Sequence, residues 1–342
     1  MEKPLFRQSF LYDTLDMDTE MSPVQFQLPS GLTVRLLKRG LLEVSPENMT
    51  DQTKSIVVSA GVHGNETAPM ELVDAVIEDI LSGKCTVTER CLFMLAHPQA
   101  TNEQTRFIED NMNRLFDKRV QSDSIEGKIA SQAMNDVEAF YEGTSPEQRW
   151  HLDLHCAIRR SKHLTFAVSP KTTKPTRSRA LLDFTAKARL EAILLSNAPT
   201  STFSWYTADA FGAQSLTVEL GQVSPLGESD LSLINDFDTA FRALITNSLE
   251  GIEGVDAIPY RVTQTLKRTH DDFDFNFGDD VENFTRFEHG QVLGHDGDKI
   301  LFAKVEQEAV VFPNKNVAIG QRAALMVSEV ETRYENDQLV YD

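Results

Sequence analysis

The chain has 342 residues, of which 33 are basic and 52 acidic, for a formal net charge of −19 at pH 7. With 41% hydrophobic and 25% charged residues, the composition is typical of a folded globular protein, and the length predicts two domains. A chain this negative is not expected to bind nucleic acid or an anionic membrane, and an anionic substrate would need a local cluster of Arg or Lys.

Long apolar runs are missing from the sequence. No stretch approaches the roughly 18 apolar residues that span a bilayer, and residues 1–17 lack the apolar core of a secretory signal. Cys85, Cys91 and Cys156 are too few and too scattered for a disulfide framework. We therefore expect a cytoplasmic protein with reduced thiols. The sequence predicts no particular oligomeric state.

Strands and helices alternate from the N-terminal part onward. Residues 24–37 predict two short strands joined by a turn at Ser30-Gly31. The β-branched run at residues 55–60 predicts a buried strand, and the apolar residues of 67–81 recur with helical spacing. Pro69 suits the first turn of that helix.

The same alternation continues toward the middle of the chain. Further strands are predicted at residues 91–96, 150–156, 164–168, 192–195 and 215–220. Further helices are predicted at residues 178–190 and 237–249, the second of them ending before Gly251. Strands interleaved with helices predict an α/β fold, with a largely parallel or mixed sheet flanked by helices.

The pattern changes near residues 251–254. The sequence that follows consists of short apolar runs separated by Gly and Asp turns, and Asp296-Gly297 is typical of a hairpin. We interpret this part as a smaller all-β domain. The predicted division is therefore a catalytic domain at residues 1–253 and a small β domain at residues 254–342.

The loop between the buried strand and its helix carries two possible metal ligands. His63 and Glu66 lie three residues apart beside Gly61 and Gly64. Ligands of open α/β sheets bind outside the carboxyl ends of the strands, which is where this loop lies. The spacing allows an imidazole nitrogen and a carboxylate to bind one ion. The pair alone is equally typical of a solvated His and Glu in a turn.

A second histidine ends another predicted strand. His155 projects from the strand end, and Asp153 lies on the same face two residues earlier. A carboxylate in that place commonly orients a metal-bound imidazole. His151 shares this face but lies farther from the strand end, so we prefer His155 as a ligand. On its own, His155 would be interpreted as a hydrogen-bonded core histidine.

Two histidines and one glutamate suit a catalytic zinc ion, one per chain, with an open position for water. Zinc lowers the pKa of that water and polarises a carbonyl, although other divalent ions accept the same ligands. The chemistry also needs a proton shuttle, and Glu219, at the end of an apolar strand, is the predicted one. The alternative is an exposed Glu at a strand end.

Cys156 points away from its neighbour His155, which argues against a cysteine nucleophile.

Four separated motifs resemble those of a known family. They are GVHGNETAP at residues 61–69, NMNRLF at 111–116, DLHCAIR at 153–159 and TVELG at 217–221. The set is similar to the zinc carboxypeptidase-like amidases, and within them to the succinylglutamate desuccinylase and aspartoacylase branch. The resemblance implies a zinc carboxypeptidase-like sheet for the catalytic domain, and a small C-terminal β domain also fits that branch.

The resemblance implies a role for each motif. His63, Glu66 and His155 match the zinc ligands, and Glu219 matches the catalytic glutamate. The residues that match substrate-binding positions are Arg106, Asn113, Arg114 and Arg159. An arginine presents a planar pair of donors to a carboxylate. A single arginine considered by itself would more often form a surface salt bridge.

One position departs from the aspartoacylase pattern. Aspartoacylases carry an arginine ten residues before the catalytic glutamate, where this chain has Asp209. The segment ending at Arg159 resembles desuccinylases instead. The resemblance thus implies hydrolysis of a small anionic N-acyl amino acid, N2-succinylglutamate, to succinate and glutamate in bacterial arginine catabolism. The alternatives are a zinc amidase for another N-acyl amino acid, a metallocarboxypeptidase, and a metal-binding protein without catalysis.

Overall fold

The computed structural model describes residues 5–341. The expectation that the N-terminus lacks a secretory signal rests partly on residues 1–4, which lie outside the described residues. The helices are α1 (Phe10–Leu15), α2 (Ala68–Leu81), α3 (Pro98–Asn102), α4 (Ile125–Tyr141), α5 (Arg179–Lys187), α6 (Phe203–Phe211) and α7 (Asn235–Ile245). Short 3-10 helices cover Met112–Arg114, Pro146–Gln148, Leu231–Ile234 and Leu249–Gly251.

The strands fall into one large sheet and two small ones. Up to residue 222 they are β1 (Val24–Gln27), β2 (Thr33–Lys38), β3 (Leu41–Ser45), β4 (Ser55–Ala60), β5 (Arg90–Leu95), β6 (Arg149–Ala157), β7 (Thr165–Ser169), β8 (Ala192–Leu195) and β9 (Gln214–Gln222). The later ones are β10 (Ile258–Lys267), β11 (Asp274–Phe275), β12 (Thr285–Phe287), β13 (Val292–Asp296), β14 (Lys299–Phe302), β15 (Glu308–Val311), β16 (Arg322–Glu329), β17 (Arg333–Glu335) and β18 (Gln338–Val340).

The large sheet is mixed, as predicted. Its 13 strands run in the order β1-β2-β3-β5-β4-β6-β9-β7-β8-β10-β16-β15-β12. The central strands β5, β4, β6 and β9 are parallel, whereas β7 runs antiparallel to β9. The parallel centre brings the carboxyl ends of β4, β6 and β9 to one edge, where a site is expected. The predicted α/β class is therefore confirmed.

Helices cover both faces of the sheet. Ile56 and Val58 of β4 belong to the apolar cluster under α2, α5 and α7, whereas Val57 belongs to the cluster under α4 and α6. Alternating side chains of one strand thus enter two different cores. This explains why β4 is an unbroken apolar run, which is typical of a strand buried on both faces.

The C-terminal strands continue the large sheet. β10 pairs in parallel with β8, with Ile258 opposite Ala192, and then pairs with β16 on its other side. The remaining strands form the small sheets β11-β13-β14 and β17-β18, and the predicted hairpin at Asp296-Gly297 joins β13 to β14. An all-β region is present, but the sheet runs across its predicted boundary, and the two-domain division stays a prediction.

The helices differ from the sequence prediction in several places: α1, α3, α4 and α6 were not predicted, and α5 ends at Lys187 instead of at residue 190. α7 ends at Ile245, and not at residue 249, because Asn247 adopts a φ of +52° that ends the helix. α4 was not predicted, although Ser124 caps its start by accepting from the Gly127 N–H at 3.1 Å. Among residues 5–341, no helix combines the length and the hydropathy that crossing a bilayer requires.

Candidate metal centre and active site

Strand register brings the predicted site residues together. β6 lies between β4 and β9, and the pairing sets Asp153 beside Ser59 and Thr217. Two residues further along β6, His155 lies directly opposite Glu219. Since side chains alternate along a strand, Asp153, His155 and Glu219 project from the same face of the sheet.

A tight loop after β4 positions the other two predicted ligands, His63 and Glu66. Gly61 begins the loop with a φ of +67°, a conformation that favours glycine. Gly64 packs so closely on α3 that a Cβ there would lie 2.3 Å from the carbonyl carbon of Ala100. The loop can therefore reach the edge of the sheet only with small residues at these two positions.

The three predicted ligands converge. His63 Nδ1 lies 3.0 Å from Glu66 Oε1, and His155 Nδ1 lies 2.7 Å from Glu66 Oε2. One potential ligand atom from each residue lies within 4.8 Å of the others, and all three side chains are buried. The backbone N–H of Cys156 also donates to Glu66 Oε2 at 3.2 Å.

The hydrogen bonds around His63 fit a bound cation. His63 Nε2 donates to Asn111 Oδ1 at 3.0 Å, and the same oxygen accepts from the Asn113 N–H at 3.1 Å. Burial lowers the pKa of His63 to about 4, so the ring is neutral and carries a single N–H. Its Nδ1 lone pair then faces the Glu66 carboxylate, and a cation between these two acceptors would satisfy both.

The pKa values of Glu66 and His155 depend on each other. Burial alone would raise the pKa of Glu66, but the neighbouring imidazoles of His63 and His155 hold it well below its usual value. Burial alone would lower the pKa of His155, but Asp153 and Glu66 raise it well above its usual value. A carboxylate buried against two imidazoles is thus kept ionised, as a metal ligand must be.

A buried hydrogen-bond chain supports His155 from behind. Asp153 accepts from His155 Nε2 at 3.1 Å and from the Ser59 hydroxyl at 2.6 Å. Ser59 Oγ also lies 2.9 Å from His151 Nε2, and His151 Nδ1 lies 2.9 Å from Thr207 Oγ1 on α6. Both ring nitrogens of His151 are therefore occupied in the core, and the structure places this histidine outside the ligand cluster.

Glu219 lies beside the cluster with one oxygen free. The side chain is buried, and its Oε2 has no hydrogen-bond partner among residues 5–341. Burial raises the pKa of Glu219 to about 7, and the charge of His155 opposes that rise. A carboxyl group with a pKa near neutrality can both accept and release a proton under ordinary conditions.

The cluster opens into a cavity of about 650 Å³. All eight residues that the sequence singled out line it: the three predicted ligands, Glu219, Arg106, Asn113, Arg114 and Arg159. Asp209 lies on α6 and is absent from the lining. The cavity is large enough for a small N-acyl amino acid.

The NMNRLF segment and Arg106 lie close to the metal ligands. Arg106 donates to Glu66 Oε1 at 2.5 Å. Asn113 Nδ2 lies 3.4 Å from His155 Nε2, and Asn113 Oδ1 accepts from the backbone of Phe203 at 2.9 Å. Arg114 Nη1 donates to the carbonyl of Asn113 at 2.7 Å. Arg114 lines the cavity and forms no ion pair among the described residues.

Arg159 is held by the C-terminal region. Its Nε donates to the Pro313 carbonyl at 2.7 Å, and its Nη2 lies 3.7 Å from Asp279 Oδ1. Its Nη1 is buried without a hydrogen-bond partner among residues 5–341. Arg159 therefore lines the cavity while joining the end of β6 to the later part of the chain.

Sequence reasoning missed three contributors to the site. Asn111 lies within the matched NMNRLF segment. The motif therefore marked this segment as part of the site, but the contact of Asn111 with His63 was not predicted. Ser59 is a hydroxyl residue inside an apolar strand, which could have suggested a hydrogen-bonding role. Arg322 begins β16 and lines the cavity. Its segment carries no motif, and only the fold brings it to the site.

Cys156 is poorly suited to a nucleophilic role. Burial raises the pKa of its thiol, and Glu66 and Glu219 raise it further. The Sγ donates to the carbonyl of Leu220 at 3.5 Å. All three cysteines are buried free thiols. The site chemistry therefore rests on the histidines and carboxylates.

Comparisons with known proteins match both parts of the chain. Residues 52–245 match the model of the succinylglutamate desuccinylase/aspartoacylase catalytic domain. Residues 256–330 match the model of the AstE/AspA barrel-sandwich hybrid domain. The second match covers the strands that continue the sheet beyond β8.

Full-length relatives and solved structures agree with these models. The chain is 57% identical over 342 residues to a succinylglutamate desuccinylase of Vibrio campbellii, covering 100% of both chains. A crystal structure of the Vibrio cholerae succinylglutamate desuccinylase superposes with a TM-score of 0.98 at 56% identity, covering 99% of this chain and 100% of that one. The structure of the Chromobacterium violaceum enzyme has a TM-score of 0.81 at 32% identity, with 94% and 98% covered.

Proposed function

Since the chain belongs to the succinylglutamate desuccinylase/aspartoacylase family, we propose that it hydrolyses N2-succinylglutamate to succinate and glutamate with one bound zinc ion. The observation that carries the proposal is the convergence of His63, Glu66 and His155 beside Glu219, in a chain whose full-length relatives bear that name. We place the reaction in arginine catabolism, as the resemblance implies.

The donor set supports zinc as the metal. Two imidazole nitrogens and one carboxylate are ligands that zinc accepts in catalytic sites. His63 and His155 would bind through Nδ1, because each Nε2 donates to an acceptor on the far side of its ring. Zinc bound there would supply an acidified water and polarise the scissile carbonyl.

Glu219 moves the proton in this proposal. Its free Oε2 takes a proton from the attacking water and later delivers it to the departing glutamate nitrogen. The elevated pKa suits both steps, since the group must be ionised to accept and protonated to donate. Burial also keeps bulk water from competing for that proton.

Substrate recognition rests on the positive lining of the cavity. Succinylglutamate carries three carboxylates, which a chain of net charge −19 would repel without local cations. The resemblance assigns Arg106 to the scissile carbonyl, and its hydrogen bond to Glu66 holds it beside the predicted metal ligands. Asn113 and Arg114 are proposed to bind one substrate carboxylate, and Arg159 contributes a free Nη1.

A panel of N-acyl amino acids tests the proposed substrate. Zinc-loaded protein should release succinate from N2-succinylglutamate with a kcat/KM roughly 10- to 100-fold above that for N-acetylglutamate, because the acetyl group lacks a carboxylate. N-acetylaspartate should be poorer still. If either acetyl substrate were cleaved as efficiently as succinylglutamate, the protein would be assigned as an N-acyl amino acid amidase of another specificity. Release of C-terminal residues from peptides would favour a metallocarboxypeptidase.

A further inference from the structure

One cavity arginine comes from the C-terminal region. Arg322 is the first residue of β16, and its side chain reaches the same cavity as the metal ligands. Its guanidinium carbon lies 5.7 Å from the centroid of the Phe312 ring, within the range of a cation–π contact. Among residues 5–341 its side chain has no ion pair and no hydrogen bond to a carboxylate.

Three of the other four cavity arginines have a carboxylate partner. Five arginines line the cavity, and three lie within ion-pair distance of a carboxylate. These three pairs are Arg106 with Glu66 at 2.5 Å, Arg159 with Asp279 at 3.7 Å and Arg160 with Glu282 at 3.5 Å. Arg114 and Arg322 are the two that lack such a partner among the described residues.

Leaving these two arginines unpaired is costly for the free protein. Burial lowers the pKa of Arg114 to about 9, and the nearby charges of Arg322 and Arg106 lower it further. Burial likewise lowers the pKa of Arg322, which only the charge of Glu219 opposes. Two desolvated like charges in one cavity are relieved by a bound anion with more than one negative group.

We propose that Arg322 is a substrate-binding residue that holds one carboxylate of succinylglutamate, while Arg114 holds a second one. This inference rests on the proposed function and extends it to the C-terminal region. The guanidinium fork presents paired donors to a carboxylate, so both charge and geometry contribute. The strand β16, which the sheet places beside β10, thereby becomes one wall of the substrate site.

The binding of succinylglutamate to a protein that cannot hydrolyse it tests this role of Arg322. In a zinc-loaded Glu219→Gln background, calorimetry with succinylglutamate should show about 10- to 100-fold weaker binding after Arg322→Met. Arg322→Lys keeps the charge but loses the fork, and should fall between the two. Lys299→Met, which removes one exposed positive charge from the same region, should bind like the background protein. Thermal unfolding of each variant verifies that the fold is retained.

Three analogues identify the carboxylate that Arg322 holds. Each replaces one carboxylate by a methyl group: N-butanoylglutamate, N-succinylnorvaline and N-succinyl-4-aminopentanoate. For one analogue, and only one, binding should no longer depend on Arg322. An equal loss for all three analogues, or no loss for succinylglutamate itself, would overturn the inference. Binding that depends on Arg322 without any turnover by the unmutated protein would instead refute the proposed function.

Discussion

Asp153 and Glu66 contact opposite sides of the same imidazole: Asp153 Oδ2 accepts from His155 Nε2 at 3.1 Å, and Glu66 Oε2 lies 2.7 Å from His155 Nδ1. Because a carboxylate can only accept, the contact with Asp153 fixes a proton on Nε2, and the contact with Glu66 fixes one on Nδ1. Glu66 is itself a predicted ligand, so a metal ion bound there would replace the Nδ1 proton and take that nitrogen. The orientation of this ligand thus depends on a residue that does not bind the metal itself.

Asp153→Asn should weaken zinc binding without removing a ligand. The amide keeps the shape of the side chain but can turn its NH₂ toward His155 or Ser59, so the ring loses its fixed orientation. We expect a loss of about 10- to 100-fold in zinc affinity. Competition with a chromophoric chelator measures it. Unchanged affinity in a folded Asp153→Asn protein would show that Asp153 does not orient His155.

Metal content separates the three histidines of the site region. His63→Ala and His155→Ala should each lose most of the zinc that the parent protein carries, because each removes one of three ligands. His151→Gln should keep about one zinc per chain, since both nitrogens of His151 bond to hydroxyl groups in the core. Elemental analysis of purified protein gives these ratios. Zinc loss in His151→Gln together with zinc retention in His155→Ala would reassign the third ligand.

Gly64→Ala should disturb the ligand loop more than an ordinary glycine replacement. The new Cβ would meet the backbone of Ala100 at 2.3 Å, and backbone cannot move aside cheaply. We expect a destabilisation of about 1–3 kcal/mol and weaker zinc binding. Gly251→Ala is the matched control, because nothing lies within 4 Å of a Cβ there. Equal unfolding midpoints for the two variants would contradict the packing argument.

The pH profile should report the ionisation of Glu219. Because the base form is the carboxylate, kcat/KM should fall as pH drops through the pKa of Glu219, which burial raises to about 7. A cation nearby favours the carboxylate, so with metal bound this limb should lie at or below that value. Glu219→Gln should lose about 10²–10⁴-fold in kcat, and its residual activity should lack the limb. An unaltered limb in that variant would assign the ionisation to another group.

The central part of the fold was predictable because its signals are local. Residues 55–60 form a strand buried on both faces, and apolar residues recur at helical spacing in α2, so both elements follow from periodicity. The ligands His63 and Glu66 could be found because the strand, loop and helix that position them are consecutive in sequence. The resemblance of four motifs then connected them to His155 and Glu219.

What escaped prediction depends on contacts between distant segments. α4 has a weak apolar face of small residues such as Ala130 and Ala133, so its periodicity is faint. The pairing of β8 with β10 joins residues 192 and 258, and nothing local encodes it. Arg322 reaches the cavity only through that pairing and the next one, with β16. The predicted cytoplasmic location stays an expectation from the sequence.

A zinc titration of metal-free protein tests whether succinate release requires the ion that His63, Glu66 and His155 are proposed to bind. Succinate release from N2-succinylglutamate should be near zero without metal, rise in proportion to added zinc, and level off at about one equivalent per chain. His63→Ala should show no such rise at these concentrations. Full succinate release by metal-free protein, or no release at any zinc concentration from a folded, zinc-loaded chain, would refute zinc-dependent hydrolysis of succinylglutamate.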